Sequence, residues 1–148
     1  MSYSTLRYEI ADCIPSLTLN RPDHLNAFTV EMGGELIEAS HRASDADDVR
    51  AIVVTGQGNA FCAGMDLSVD GDVFGLNETL TPTMEDMDTR LDDPEIIAGL
   101  RDLGGRVTLA IYDCNKAVIA AINGAGFGIR TTITRAELSS LINAAPPR

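Results

Sequence analysis

The sequence contains no tryptophan, few other aromatic residues and no apolar run long enough to cross a membrane. Aromatic residues make up 5% of the 148 residues. The longest candidate run, AVIAAI at 117–122, is far shorter than a spanning helix. The first residues, MSYSTLRYEIADC, lack the basic start and the apolar stretch of a signal peptide. With 45% apolar residues, the composition predicts one soluble globular domain.

Cysteine is also scarce. Cys13, Cys62 and Cys114 are an odd number of thiols and form no C-x-x-C pair. This pattern argues against a disulfide framework and against a zinc site, so we expect no metal and a reducing, cytoplasmic location.

Basic residues are half as numerous as acidic ones. The chain has 11 Lys and Arg residues and 22 Asp and Glu residues, which gives a net charge of −11. Residues 66–102 hold eleven acids and two arginines, so this segment alone contributes −9. A strongly acidic chain is a poor partner for nucleic acid or for an anionic membrane, and we expect neither partner.

Apolar spacing predicts an alternation of strands and helices. Strands are expected at 6–11, 16–20, 51–56 and 117–123, with the third buried on both faces. A first helix is expected from the N-cap Thr29, and a single second helix from Asp93-Pro94 to Cys114. Residues 67–93 show no periodicity, which predicts a long, mobile, acidic loop.

Two of the predicted strands run into glycine-rich turns, VVTG-QGNAFCAG and AAIN-GAGFGI. Glycine allows positive φ and a close approach of another group. If the two turns met, their free backbone N–H groups could form an oxyanion hole, that is, donors aimed at the negative charge on a carbonyl oxygen. The alternative is that both are ordinary packing turns between strands and helices.

Three segments, LTLNRPDHLNAFTVEM, VRAIVVTGQGNAFCAGMDL and NKAVIAAINGAGFGI, resemble in order and spacing the crotonase superfamily of enoyl-CoA hydratases and isomerases. The resemblance covers residues 8–129. It implies an α/β fold of strand–strand–helix units wound as a spiral, usually assembled as trimers or pairs of trimers. It also implies an acyl-CoA thioester substrate of the fatty-acid type, an enolate intermediate, and no metal or redox cofactor.

The same resemblance implies the site residues. The two N–H donors for the thioester oxygen would be Ala63 and Ile129. The strip that holds CoA would consist of Leu25, Asn26, Ala27, Ala63, Gly64, Met65, Asp66 and Leu67. Cys62 then has two interpretations, a nucleophile or a bystander beside Ala63. No base or cation is evident beside it in the sequence, which favours the bystander.

The chain also departs from the family pattern. Thr132 stands where hydratases have a glutamate, and a second catalytic glutamate would fall beyond Arg148. Arg130 replaces a glycine, and residues 130–148 form a divergent tail behind the family-like part at 1–129. We therefore expect an incomplete fold without the C-terminal half of the core and without the trimer helices, as a truncation or frame shift would produce. The general acid/base stays unassigned, and Glu137 in the tail is a weak substitute.

Two other functions are weighed against this one. A dinucleotide-binding turn would need a third glycine at Ile129 and an acid about twenty residues later, and both are missing. A catalytically inactive subunit that binds acyl-CoA, or docks on a complete homologue, fits the missing acid/base residues. His24 and His41 are expected to be surface residues.

Overall fold

The computed structural model of the chain describes residues 2–69, 71–77 and 79–128. These residues form six strands and four α-helices. The strands are β1 (Leu6–Ala11), β2 (Ile14–Leu19), β3 (Ala51–Gly56), β4 (Ala60–Cys62), β5 (Ala117–Ala120) and β6 (Ala125–Gly126). The helices are α1 (Val30–Asp45), α2 (Met84–Thr89), α3 (Pro94–Leu100) and α4 (Leu103–Tyr112). A short 3-10 turn lies at Pro22–His24.

Four strands form the main sheet, in the order β1-β2-β3-β5. The hairpin β1–β2 is antiparallel, whereas β2–β3 and β3–β5 are parallel. The short strands β4 and β6 pair in parallel as a second, two-stranded sheet. The chain thus repeats strand, strand and helix twice, as β1-β2-α1 and as β3-β4 followed by α2 to α4. The predicted α/β fold of strand–strand–helix units is confirmed for this part of the chain.

Helix α1 begins where the sequence predicts it. The Oγ1 atom of Thr29 accepts a hydrogen bond from the Met32 N–H at 3.2 Å, so one of the unpaired amides at the helix start is capped. Its apolar residues at spacings of four, three and four, from Met32 through Leu36 and Ala39 to Ala43, are all fully buried. This stripe packs against the main sheet.

The single helix predicted from Asp93 to Cys114 is wrong, because two helices lie there. The backbone of Arg101 is extended, with φ −114° and ψ 119°, and ends α3. Asp102 then starts α4 anew, since its Oδ1 accepts a hydrogen bond from the Gly105 N–H at 2.7 Å. Aspartate competes for local backbone donors and so favours the cap over the helix interior.

The prediction that segment 67–93 is a loop throughout is wrong, because it contains a helix. Helix α2 lies within it and opens on a capping box: the Thr83 Oγ1 accepts from the Asp86 N–H at 3.2 Å, and the Asp86 Oδ2 accepts from the Thr83 N–H at 2.9 Å. The mobility of the segment stays a prediction.

The expectation that β3 is buried on both faces is also wrong. Ile52 and Val54 are fully buried, whereas Val53 and Thr55 on the other face are only half-buried. The core therefore lies on one side of the main sheet, beneath α1 and α4. Its largest fully buried side chains are Phe28, Phe61, Leu17, Leu19, Met32, Leu36, Ile52, Leu103, Ile111, Val54 and Val107.

Within the part of the chain that the structure describes, no helix combines the length and the apolar character needed to cross a membrane. The predicted tail at 130–148 lies outside the described residues, as do Ile129, Thr132 and Glu137.

Candidate active site

The NRPDHLNAF loop leaves β2 through a 3-10 turn and then takes two consecutive residues into the left-handed region. Leu25 has φ 50° and Asn26 has φ 54°. Asparagine tolerates this conformation better than most residues, but leucine does not, so the surrounding contacts must hold it there. Leu25 is 55% exposed, so burial of its side chain offsets little of this cost. Such a conformation in an exposed loop marks it as a candidate for function.

Asn26 holds this loop against the turn between β3 and β4. Its side chain is fully buried. Its Oδ1 accepts from the Arg21 N–H at 2.9 Å, and its Nδ2 donates to the carbonyls of Gln57 and Ala60 at 2.9 and 2.8 Å. The polar side-chain atoms of Asn26 are therefore engaged inside the protein, and the place of this residue in the CoA-binding strip stays a prediction.

The first glycine turn, Phe61 to Leu67, runs alongside the same loop. Phe28 donates its N–H to the Gly64 carbonyl at 2.7 Å and accepts from the Asp66 N–H at 2.9 Å, which makes a parallel bridge to Met65. In such a bridge the middle residue turns its own N–H and C=O to the opposite edge. Gly64 has φ 98°, which only glycine adopts without strain. The Met65 amide thus faces away from Phe28, with no acceptor among the described residues.

Ala63, the first oxyanion donor inferred from the family pattern, lies differently. Its N–H donates to the Leu25 carbonyl at 3.0 Å. An amide that is engaged in a backbone hydrogen bond is not free to bind a substrate oxygen, so the assignment of Ala63 as donor is corrected. The next unpaired amides along the turn are those of Gly64 and Met65.

The second glycine turn packs directly on the first. β6 pairs with β4, and the Phe127 N–H donates to the Cys62 carbonyl at 2.9 Å. A Cβ built on Gly128 would lie 3.7 Å from the Gly64 Cα, so the two turns touch through their backbones. The two turns thus lie side by side up to Gly128, as an oxyanion hole would require. Ile129, the second donor implied by the resemblance, lies outside the described residues.

An ion pair fastens the first turn to the NRP segment. The Asp66 side chain is 6% exposed, and its Oδ2 lies 2.9 Å from Nη2 of Arg21. Ser68 adds its hydroxyl and its N–H to Oδ1, at 2.5 and 3.1 Å. The hydrogen bonds from Ser68, followed by Arg21, lower the pKa of Asp66 from 3.8 to about 2. Asp66 is therefore ionised and already paired, which suits a structural role in the strip.

Cys62 is fully buried, and its Sγ points to the Gly64 carbonyl at 3.8 Å. Burial raises the pKa of the thiol, which keeps it neutral. Because the thiolate is the nucleophilic form, this environment supports the bystander interpretation.

Exposed apolar side chains surround the two turns. Leu25, Leu67 and Phe127 are 55%, 74% and 68% exposed. Leu25 is hydrogen-bonded to the first turn through its carbonyl, and Phe127 through its N–H. Ala27 is half-buried beside them. Exposed apolar residues on and next to turns with unpaired backbone amides are typical of a ligand-binding surface.

Comparison with known proteins decides the family. A family model described as "Enoyl-CoA hydratase/isomerase" matches residues 9–98. The chain belongs to the enoyl-CoA hydratase/isomerase family. It is 42% identical, over 129 residues, to a protein of Rhodobacter capsulatus named "Probable enoyl-CoA hydratase", and 36% identical over 126 residues to one of Mycobacterium tuberculosis with the same description. These matches cover 86% and 85% of this chain but 42% of each relative.

Solved structures of the family share the fold. An enoyl-CoA hydratase structure from Streptomyces coelicolor is 32% identical with a TM-score of 0.64, and covers 91% of this chain and 44% of its own. A crotonase structure from Legionella pneumophila is 29% identical with a TM-score of 0.66, and covers 91% of this chain and 46% of its own. The chain thus spans less than half the length of these family members.

Two features of this family member are not predicted by its sequence. The sequence places Met65 only in the CoA strip, since the pairing of Phe28 with Met65, which leaves the Met65 amide free, cannot be read from spacing. A cavity of about 730 Å³ also opens between the start of α1, the 71–77 loop and Arg106, and no predicted site residue lines it. Within the described ranges, no three His, Cys, Asp or Glu side chains are grouped closely enough to hold a metal ion. His24 and His41 are exposed.

Proposed function

We propose that this chain binds acyl-CoA thioesters and stabilises an enolate with backbone N–H groups from its two glycine turns. Met65 supplies one donor from the first turn, and Ile129, by the family resemblance, supplies the other. The reaction class is that of enoyl-CoA hydratases and isomerases, in fatty-acid-type acyl-CoA metabolism in the cytoplasm, without a metal or redox cofactor.

One observation carries the proposal: the unpaired Met65 amide lies in a turn whose Gly64 touches Gly128 of the other turn. Donors that are fixed before the substrate arrives cost no reorganisation when negative charge develops on the oxygen. Removing one such donor typically lowers the rate by about 10²- to 10³-fold. The exposed Leu25, Leu67 and Phe127 would then cover the apolar parts of the ligand.

The proposal has two forms, an active enzyme and an inactive binding subunit, which differ in whether the chain can transfer protons. Hydration needs an acid/base group on the water and on the α-carbon, and an oxyanion hole moves no proton. By the family resemblance, Thr132 stands where hydratases have a glutamate. This difference favours a second candidate function, an inactive subunit that binds acyl-CoA, or docks on a complete homologue, without turnover.

The Met65 donor is tested by removing its N–H. Proline lacks the donor, and it is tolerated in a strand where the N–H faces away from the partner, as it does at Met65. We expect Met65→Pro to fold and to bind butyryl-CoA about fivefold to tenfold more weakly, by titration calorimetry, as the loss of about one hydrogen bond predicts. Met65→Ala keeps the amide and is the matched control, and it should bind butyryl-CoA more tightly than Met65→Pro does.

Ala63→Pro separates the two candidate donors. This substitution removes the hydrogen bond from the Ala63 N–H to the Leu25 carbonyl. We therefore expect it to lower the melting temperature, without the selective loss of butyryl-CoA affinity that Met65→Pro causes. If Met65→Pro binds butyryl-CoA like the wild type, Met65 is not the donor. If the wild-type chain binds no acyl-CoA, the proposed function itself fails. Turnover of a short enoyl-CoA by the wild type would exclude the inactive form.

A further inference from the structure

Asn123, directly before the second glycine turn, pairs its side chain with a backbone. Its Oδ1 accepts from the Gly56 N–H at 3.1 Å, and its Nδ2 donates to the Gly56 carbonyl at 2.8 Å. The same Nδ2 donates to the Gly58 carbonyl at 2.9 Å. The carboxamide therefore satisfies both backbone groups of Gly56, as the main chain of a neighbouring strand would do.

This pairing continues the β3–β5 ladder beyond the end of β5. Val54 pairs with Ala120, and the Ala121 N–H donates to the Val54 carbonyl at 2.8 Å. The Thr55 hydroxyl then donates to the Ala121 carbonyl, also at 2.8 Å. One step further, at Gly56, the side chain of Asn123 takes the place of the strand.

The chain after Asn123 moves to a different partner strand. A Cβ on Gly124 would overlap the Asn59 carbonyl, so the backbone passes tightly over the β3–β4 turn. β6 then pairs with β4, and Gly128 arrives beside Gly64. Asn123 thus lies between the two ladders and fixes the point at which the chain changes from one to the other.

Asn123 itself is exposed, but its two hydrogen bonds to Gly56 are partly buried and satisfy the backbone of a buried residue. The carboxamide therefore supports both the stability of this region and the course of the chain. We propose that Asn123 is a positioning residue: its carboxamide, paired with Gly56 and Gly58, sets the second glycine turn against the first and with it the spacing of the N–H donors for the thioester oxygen. This inference rests on the proposed function for its ligand.

The substitution Asn123→Asp tests the inference with almost no change in shape. The Nδ2 donor becomes a carboxylate oxygen that faces the carbonyls of Gly56 and Gly58 and repels them. We expect the affinity for butyryl-CoA to fall about fivefold or more, while the affinity for free CoA, which has no thioester oxygen, changes by less than about twofold. A purely structural lesion would weaken both ligands in parallel.

Asn59→Asp is the matched control. It makes the same chemical change in the turn that Asn123 contacts, but the Asn59 side chain is exposed and makes no hydrogen bond to the described residues. Both affinities should stay at the wild-type values in this variant.

A second measurement needs no ligand and so separates this inference from the proposed function. In the ¹H–¹⁵N spectrum of the free chain, Asn123→Asp should shift the amide signals of Gly64, Met65 and Gly128, and Asn59→Asp should leave them in place. If the wild type binds no acyl-CoA, the proposed function fails. The amide signals alone then show whether Asn123 positions the second turn against the first. Unmoved signals in Asn123→Asp, or a parallel loss of both affinities, would overturn the inference.

Discussion

Cys62 lies within the first glycine turn, but its surroundings make it a packing group. Three free thiols are present: Cys13 is exposed, whereas Cys62 and Cys114 are buried. We predict that a water-soluble disulfide reagent labels Cys13 rapidly in the folded chain and reaches the other two only after unfolding. Mass spectrometry of labelled peptides identifies the sites, and Cys13→Ser should abolish the fast phase. Rapid labelling of Cys62 would restore it as a candidate nucleophile.

Asp66 links acidity to the stability of the first turn. Its pKa is lowered from 3.8 to about 2 in the folded chain, so its contribution is present above the unfolded value and is lost as the pH falls through the folded one. We predict that Asp66→Asn melts at a lower temperature than the wild type at pH 7. This difference should shrink between about pH 4 and pH 2, as the wild-type carboxylate becomes protonated.

The control for Asp66 is Asp23→Asn, which removes an exposed carboxylate from the adjacent 3-10 turn. Its melting temperature should follow the wild type at every pH. A difference between Asp66→Asn and the wild type that stays constant down to pH 2 would show that the ion pair with Arg21 contributes nothing to stability.

For single residues, the sequence predicts which turn supplies a backbone N–H donor, but it does not predict which amide of that turn is free. It indicates that the amides of the F-x-A-G-x-D-L turn matter, but an amide is free or engaged according to its partner strand. Ala63 is engaged by Leu25, and Met65 faces away from Phe28, and both facts depend on how two distant segments lie side by side. Spacing along one chain holds no information on that register.

Elements with strong periodicity were predictable, and interrupted ones were not. Helix α1 follows its apolar stripe and its Thr29 cap, because local and tertiary preferences agree. The stripe from Ile97 to Cys114 spans two helices, because Asp102 caps a new one within an unbroken apolar pattern. Strands β4 and β6 have three and two residues, too short for any periodicity to show.

Gly124 tests how closely the two glycine turns must approach. A Cβ there would overlap the Asn59 carbonyl, which is backbone and cannot rotate away. We predict that Gly124→Ala costs about 1–3 kcal/mol of unfolding free energy, as overpacking does, measured by chemical denaturation.

Gly34→Ala is the control for that substitution. Gly34 lies in α1, and nothing comes within 4 Å of a Cβ built on it, so alanine should stabilise the chain by about 0.5–1 kcal/mol. If both substitutions changed the unfolding free energy equally, the β3–β4 turn would be able to move away from the added methyl group at no cost in stability.

At the level of the whole molecule, a chain that matches less than half the length of its relatives still has to support the proposed acyl-CoA site. The described residues bury one continuous core between the main sheet and the helices α1 and α4. Both glycine turns, Asn26 and the Arg21–Asp66 pair lie at the edge of that core. The described parts of the proposed oxyanion site thus rest on this core, whereas proton transfer has no assigned residue.

A thermal melt of the 148-residue chain, with and without butyryl-CoA, shows whether the chain folds cooperatively and binds an acyl-CoA. A ligand that binds only the folded state stabilises it by about 2.7 kcal/mol at a hundred times its dissociation constant. We predict one cooperative transition that moves to higher temperature as butyryl-CoA is added. A melt without a cooperative transition, or one that butyryl-CoA does not move, would contradict the account.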